Sequence, residues 1–311
     1  MLRLIFGRLI SGVLTMVAAS ALIFVTMEVL PGDVATAMLQ ARSADETAVA
    51  AMREELGLNR PAIVRYGEWI AGLAVLDFGK SIANGVPVVD LIGPKLKATA
   101  VLLGCALVLM FPVALAIGVV TALRNGRLID IALQAAMLVL ASTPSFVVGI
   151  VLILVFSRGL GILPAVSFSP TPSALVLPIV TLVLGWAPLT ARMIRAGIID
   201  VLDSDFVQMA RLKGLPEALV LRRHILPNAL VPGIQAFALT AASMPAGVVI
   251  VEYLFSYPGL GNALVQAVQL RDTVLVEAMI VILVLVYVVC NLLSDIATVL
   301  LTPRLKTEVM A

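Results

Sequence analysis

Charge is what this chain has least of. Only 13% of its 311 residues are charged, against about a quarter in an average globular protein. Apolar residues make up 61%, against roughly 45–50%. So few polar side chains cannot cover a soluble globule of this size, and a mean hydropathy of +1.11 makes lipid the solvent. Histidine occurs once, at His224, and neither GxSxG nor HExxH is present, which argues against a zinc protease or a serine hydrolase. The two cysteines, Cys105 and Cys290, sit in apolar runs without CxxC or Cys/His spacing, so no disulfide framework and no metal site is expected. A GxxxxGK phosphate loop is also missing, because Gly72 and Gly79-Lys80 are wrongly spaced for one. The net charge of +2 gives no ground for a nucleic-acid partner. Glycine (22) and proline (17) are near ordinary usage, which excludes low-complexity sequence.

What the chain has in abundance is long uncharged runs. A bilayer core about 30 Å thick takes about 20 apolar residues of helix. Six stretches qualify: 9–27, 98–123, 131–157, 173–191, 225–251 and about 273–301. Pro178 and Pro188 lie in the fourth, Pro227, Pro232 and Pro245 in the fifth. Glu277 and Asp295 lie near the two ends of the last. The expected fold class is an all-α integral membrane protein with six transmembrane helices. Residues 1–30 form the N-terminal end and first helix, 31–97 a small helical extracytoplasmic insertion, 98–301 the membrane core and 302–311 a tail. With the N-terminus inside, twelve of the 21 lysines and arginines fall on the inner side. The short outer loops keep only Arg158 and Arg271, and the other seven lie in 31–97, a loop long enough to cross regardless of charge. Both termini are therefore expected in the cytoplasm. Arg3, Arg8 and Ala19-Ser20-Ala21 mimic a signal peptide, but the apolar run is longer than a normal h-region and continues to Leu30, so a retained helix is expected.

Between the spans, Ser43-Ala44-Asp45-Glu46 predicts a helix cap and Gly57 the stop of that helix. A second helix starts at Arg60-Pro61, with Ile63, Tyr66, Trp69 and Ile70 on one face. This insertion reads equally as a cap on the membrane domain and as a docking surface. On the inner side, Asp203-Ser204-Asp205 can cap a helix that Gly214 ends, and Pro216 opens a second short helix bearing Arg222-Arg223-His224. The pair suits an interfacial anchor or a groove on a soluble partner. Glu28, Glu252 and Glu277 sit near outer span ends, where water is expected close. No span carries the acidic and histidine series of a proton relay.

The inner loop is similar to the cytoplasmic loop of ABC importer permeases. Ala210, Gly214, Leu226 and Pro227 match that motif, while Gln208, Met209 and His224 depart from it. The departures resemble the dipeptide/oligopeptide/nickel branch, with Ala210-Arg211-Leu212-Lys213-Gly214-Leu215 and Arg223-His224-Ile225-Leu226-Pro227-Asn228-Ala229. Leu30-Pro31-Gly32-Asp33, Asp77-Phe78-Gly79-Lys80-Ser81, Thr143-Pro144-Ser145-Phe146 and the run from Glu252 to Gly261 resemble the same branch. Pro258-Gly259 in that run suits a type II turn. The long loop after the first helix resembles the first of two unlike permease subunits.

The resemblance implies a type I importer permease fold, with no catalysis in this chain. It implies a second homologous permease, two ATP-binding subunits or domains that carry ATP and magnesium, an extracytoplasmic substrate-binding protein and a bacterial inner membrane around them. A coupling loop of about 195–224 would meet an ATPase through Asp205, Ala210, Arg211, Lys213, Gly214, Arg223 and His224. Pro144, Ser145, Pro188, Pro245 and Glu252 are candidates for lining the path, with helix kinking the simpler use of each proline. Asp77, Lys80, Tyr257 and Arg271 are candidates for docking the binding protein. Peptides are the expected cargo, with nickel complexes, glutathione and opine-like compounds open. A self-contained secondary transporter or channel is the alternative, and it would want internal repeats and charged midplane sites.

Overall fold

The structure, a computed structural model, describes residues 2–29, 34–36, 46–55, 57–168 and 171–301. Leu30-Pro31-Gly32-Asp33, the cap residues Ser43-Ala44-Asp45 and the tail 302–311 lie outside the described residues. Among those described there is no strand, only an isolated antiparallel bridge between Lys80 and Pro87. Helix α1 (Leu2–Val29) is followed by α2 (Glu46–Glu55) and α3 (Ala62–Ala74) of the insertion. Then come α4 (Val88–Leu123), α5 (Leu128–Ser142), α6 (Ser145–Leu152) and α7 (Pro172–Leu202). The chain continues through α8 (Asp205–Leu212), α9 (Glu217–Val220), α10 (Leu226–Leu254), α11 (Leu260–Gln269) and α12 (Thr273–Leu301).

Five helical stretches are long and apolar enough to cross a membrane: Phe6–Val29, Val88–Leu123, Pro172–Leu202, Glu217–Leu254 and Thr273–Ile296. The pair Leu128–Ser142 and Ser145–Gly159, bent by 110°, makes a sixth when taken as one crossing. The expected third span is thus broken at Thr143-Pro144. Proline has no N–H to give and forces the residue before it out of helical backbone, and Thr143 is extended at φ −95, ψ 127. Several helices also outrun the expected spans. The 36 residues of α4 reach about 54 Å at 1.5 Å each, well beyond a core of about 30 Å. Its first ten residues, with Asp90, Lys95 and Lys97, were expected as loop. Helix α7 likewise continues past Ala191 to Leu202. The second inner-loop helix is not separate: α9 runs into α10 through a π-type turn at Leu221–Ile225.

The chain divides into two compact units: Met1–Ile5, Val101–Tyr257 and Tyr287–Ala311 in one, Phe6–Ala100 and Pro258–Val286 in the other. In the second, α3 packs on α1 through Ser20, Phe24 and Glu28, spaced four apart on one face. The Ser20 and Tyr66 hydroxyls are 2.9 Å apart, the Phe24 and Tyr66 rings 5.0 Å apart, and Arg65 pairs Glu28 at 2.6 Å. Ile63 departs from expectation and faces outward, 80% exposed. A core of Met27, Val88, Ile92, Leu260, Met279 and smaller neighbours holds α1, α4, α11 and α12. The expected type II turn does not form, because Gly259 has φ −93 and serves as the N-cap of α11. Ser256 takes the positive φ instead, at 50°. In the first unit, α4, α7 and α10 close on Ile194. A Cβ at Gly118 would lie 2.7 Å from that side chain, and one at Gly233 would overlap it outright. One at Gly197 would strike the Ala229 carbonyl. Small residues let these backbones approach, which is how helices associate in lipid without a hydrophobic drive. Glu252 and Glu277, expected near water, are both buried.

Candidate functional site

The inner loop is built from the protruding ends of α7 and α10. Ser204 is the extended N-cap of α8, but its hydroxyl turns back to the Val201 carbonyl at 2.6 Å, so backbone rather than side chain receives the first turn. Asp205 opens the helix, where a carboxylate suits the positive end of the dipole. Gly214 stops it at φ 72°, a left-handed conformation that costs any other residue roughly 1–2 kcal/mol. Its N–H bonds Arg211 O at 2.9 Å, and Leu215 N–H reaches Ala210 O at 3.4 Å. Arg211 then pairs Glu217 across the turn at 2.9 and 3.3 Å. Both side chains are well exposed, so the pair fixes geometry and adds at most about 1 kcal/mol.

The two faces of α8 differ sharply. Val207 and Ala210 are buried, as are Val220 and Ile225 on the returning helical arm of the loop. On the other side Phe206, Met209 and Leu212 stand 46%, 53% and 82% exposed at three-residue spacing. Leaving such side chains in water forgoes about 1.5–3 kcal/mol each relative to burial. Arg211, Lys213 and Gly214 are exposed beside them. Such an apolar stripe beside basic residues suits a lipid interface or a groove on another protein.

The stem beneath the loop is locked. Arg195 on α7 donates from Nε to Asp130 Oδ1 at 3.0 Å and from Nη2 to Oδ2 at 2.8 Å, and Nη2 also meets Asn125 Oδ1 at 2.8 Å. The Gly126 N–H adds a further bond to Asp130 at 3.0 Å. This bidentate pair ties α7 to the start of α5, just beside the glycine-lined crossing at Ile194.

Of the loop residues expected, Asp205, Arg211, Lys213, Gly214 and Arg223 are exposed, Ala210 is buried and His224 half-buried, its carbonyl accepting from Asn228 at 2.8 Å. The path candidates are dispersed. Pro144 and Ser145 mark the break before α6, and Ser145 faces Gly185, three residues before Pro188 on α7. Pro188, Pro245 and Glu252 are buried. On the outer side, Asp77 accepts the Gly79 N–H at 2.9 Å, and Lys80 opens an exposed hairpin. That hairpin is held to Asp272, which receives the Ser81 hydroxyl and the N–H groups of Ile82 and Ala83. Arg271, half-buried with φ 55°, adjoins it. Tyr257 belongs to the other unit and is fully buried, so it packs rather than docks. Burial first, and then the Glu252 charge, push its phenol up to about 12.

Sequence reasoning missed Asp130, Glu217, Phe206, Met209 and Leu212. Opposite charges at one membrane depth could have signalled Asp130 with Arg195, and the three-residue spacing of Phe206, Met209 and Leu212 was legible as a second apolar face.

Two family profiles match the chain. Residues 114–307 match the binding-protein-dependent transport system inner membrane component, and residues 1–103 its N-terminal region. A probable peptide ABC transporter permease protein, y4tP of Sinorhizobium fredii, is 34% identical over 309 residues, covering 97% of this chain and 98% of that one. The glutathione transport system permease protein GsiC of Escherichia coli K12 is 31% identical, covering 98% and 99%. Among solved structures, the inward-facing MetNI methionine ABC transporter superposes with a TM-score of 0.58 at 19% identity, over 68% of this chain and 96% of that one. With its apolar helices, inner loop and glycine-packed stem, the chain belongs to the binding-protein-dependent transport system inner membrane component family and is a multi-pass permease subunit of an ATP-driven importer.

Proposed function

We propose that this chain is the first of two unlike permease subunits of a peptide importer. Its partners are a second permease, two ATP-binding subunits that carry ATP and magnesium, and an extracytoplasmic binding protein. The relatives' names, peptide and glutathione permeases, support short peptides as cargo. The observation that carries the coupling role is the exposed Phe206-Met209-Leu212 face on a locked stem. That face seats in a cleft of an ATPase subunit, with Arg211 and Lys213 reaching acidic groups there. When the ATPases close, α8 is carried with them, and the Arg195–Asp130 pair and the Ile194 crossing pass the motion to α5, α7 and α10. Alternating access is then largely rigid-body. Pro144 and Ser145, at the break in the third span, are positioned to line the path. Asp77, Lys80 and Arg271 are the outer residues offered to the binding protein. Both termini lie in the cytoplasm, as the arginine and lysine distribution requires.

Leu212→Asp and Gly214→Glu test the coupling face. Leu212 is exposed, so the first variant disturbs no packing within the chain; at Gly214 a Cβ meets nothing within 4 Å, and the glutamate adds only the backbone strain of φ 72°. Both variants should insert normally, lose the ATPase on detergent pull-down and lose ATP-dependent uptake of a labelled dipeptide. Undiminished uptake by Leu212→Asp would remove this face from the mechanism.

A further inference from the structure

The insertion closes a cavity whose polar lining is not balanced. About 200 Å³ in volume, it lies between α1, the α2–α3 junction, α3 and the start of α12, lined by Phe24, Arg60, Arg65, Trp69, Thr273 and Glu277 among others. Most of the charge around it cancels. Arg65 Nη2 donates to both Glu28 oxygens at 2.6 Å, and Arg60 grips Glu68 at 2.8 and 2.5 Å. Three groups are left over. Glu277, 3% exposed, accepts no hydrogen bond among the described residues. Trp69 Nε1 and Arg65 Nε are buried donors without an acceptor. A buried orphan donor costs about 1–3 kcal/mol and a lone carboxylate more. The space exceeds that of a single water, but the cation that acts on Glu277, Arg65, already holds Glu28. A ligand joining a primary ammonium to an anionic group satisfies both sets: ammonium on Glu277, anionic oxygens on Trp69 Nε1 and Arg65 Nε.

The depth of the cavity names the source of such a zwitterion. Glu277 lies about one turn into α12, and the α1 residues that seat α3, Ser20 through Glu28, are within the apolar stretch Phe6–Val29. Helix α3 sets Tyr66 and Trp69 at that level and turns Ile63 and Val64 outward. Aromatics with exposed aliphatics are the residues of a bilayer interface. We propose that the cavity receives the headgroup of an aminophospholipid, phosphatidylethanolamine by its chemistry, with the ammonium at Glu277 and the phosphate at Trp69 and Arg65. An ionisable side chain held inside a membrane span is thereby given its partner.

The purified full-length chain in detergent is titrated with phosphatidylethanolamine or with phosphatidylcholine of the same acyl chains, and the unfolding midpoint is read. The first should raise the midpoint and the second, whose quaternary ammonium has no N–H, should not. In Glu277→Gln the concentration for half the effect should rise about tenfold or more, the loss expected for a hydrogen bond to a charged group. Trp69→Phe should weaken the effect as well. Equal stabilisation by the two lipids, or an unchanged preference in Glu277→Gln, overturns the proposal. Glycerophosphoethanolamine and dialanine are run alongside. A full midpoint rise with either soluble zwitterion assigns the cavity to a soluble ligand and also overturns it. Should Glu277→Gln fail to fold, the comparison of the two lipids on the unaltered chain still decides.

Discussion

Cutting the stem at Asp130 is the sharpest test of how the inner loop is held. The Asp130 carboxylate is almost fully buried, and the Arg195 side chain only 21% exposed. Alanine at 130 removes two charge-assisted bonds from Arg195 and one from the Gly126 N–H, leaving the guanidinium with Asn125 among the described contacts. Breaking a fully buried pair on one side costs about 3–5 kcal/mol. Because Arg195 still reaches solvent, about 2–3 kcal/mol is expected. For a chain of 311 residues that corresponds to roughly 3–5 °C in unfolding midpoint. Asp130→Ala, Arg195→Ala and the double variant should be compared in detergent by thermal unfolding, and in vesicles by ATP-driven dipeptide uptake. The double variant should be no worse than the worse single, a coupling of about 1.5 kcal/mol or more. Additive losses, or an Asp130→Ala chain within 1 °C of the parent, given as about the 0.5 kcal/mol noise of independent sites, would refute the locked stem.

Further outcomes follow from the same geometry. Gly197→Ala should cost about 1–3 kcal/mol by driving a methyl into the Ala229 carbonyl, whereas Gly104→Ala, with open space around it, should be near neutral in the same unfolding assay. Tyr257 is held neutral by burial, so its folded-state value of about 12 lies above the ordinary tyrosine value of about 10. Its contribution to stability is therefore full below about pH 10 and is lost as pH rises towards 12. The alkaline absorbance difference between the parent and Tyr257→Phe should titrate late, and a midpoint near 10 would contradict the burial. For orientation, Asn84→Cys in a chain with Cys105 and Cys290 replaced should react with a membrane-impermeant maleimide in intact spheroplasts. Reaction only after lysis would reverse the assignment.

The apolar spans and the inner loop between α7 and α10 were legible because composition and motif both act locally. A run of 20 uncharged residues has no alternative to lipid, and the break at Thr143-Pro144 is written in proline's missing donor. Helix lengths were not legible in the same way. Polar turns such as Val88–Lys97 and Arg192–Leu202 read as loop when each residue is asked whether it tolerates lipid, yet they prolong helices already nucleated in the bilayer. Helix α11 carried its own signal, Leu260, Ala263, Leu264 and Ala267 at helical spacing, but the Pro258-Gly259 pair read more strongly as a turn. Contacts such as Gly233 on Ile194 depend on two helices meeting at one height, which no single segment encodes. The outward face of α8 falls between these cases: its periodicity is in the sequence, while the choice of which stripe is buried is made by the stem.

The π-type turn at Leu221–Ile225 bears on how the loop is aimed. Val220 and Ile225 are both buried although five residues separate them, a spacing that a regular α-helix would place about 140° apart at 100° per residue. A π turn is in effect one extra residue accommodated in the winding, and here it resets the angular phase between the arm that carries the loop and the rod that crosses the bilayer. Deleting one residue from this turn would rewind it to α, with four steps in place of five, and turn α8 about the α10 axis by about 40°. Every side chain of the exposed face would remain, yet that face would point elsewhere. Direction, as distinct from chemistry, is thus stored in a single surplus residue.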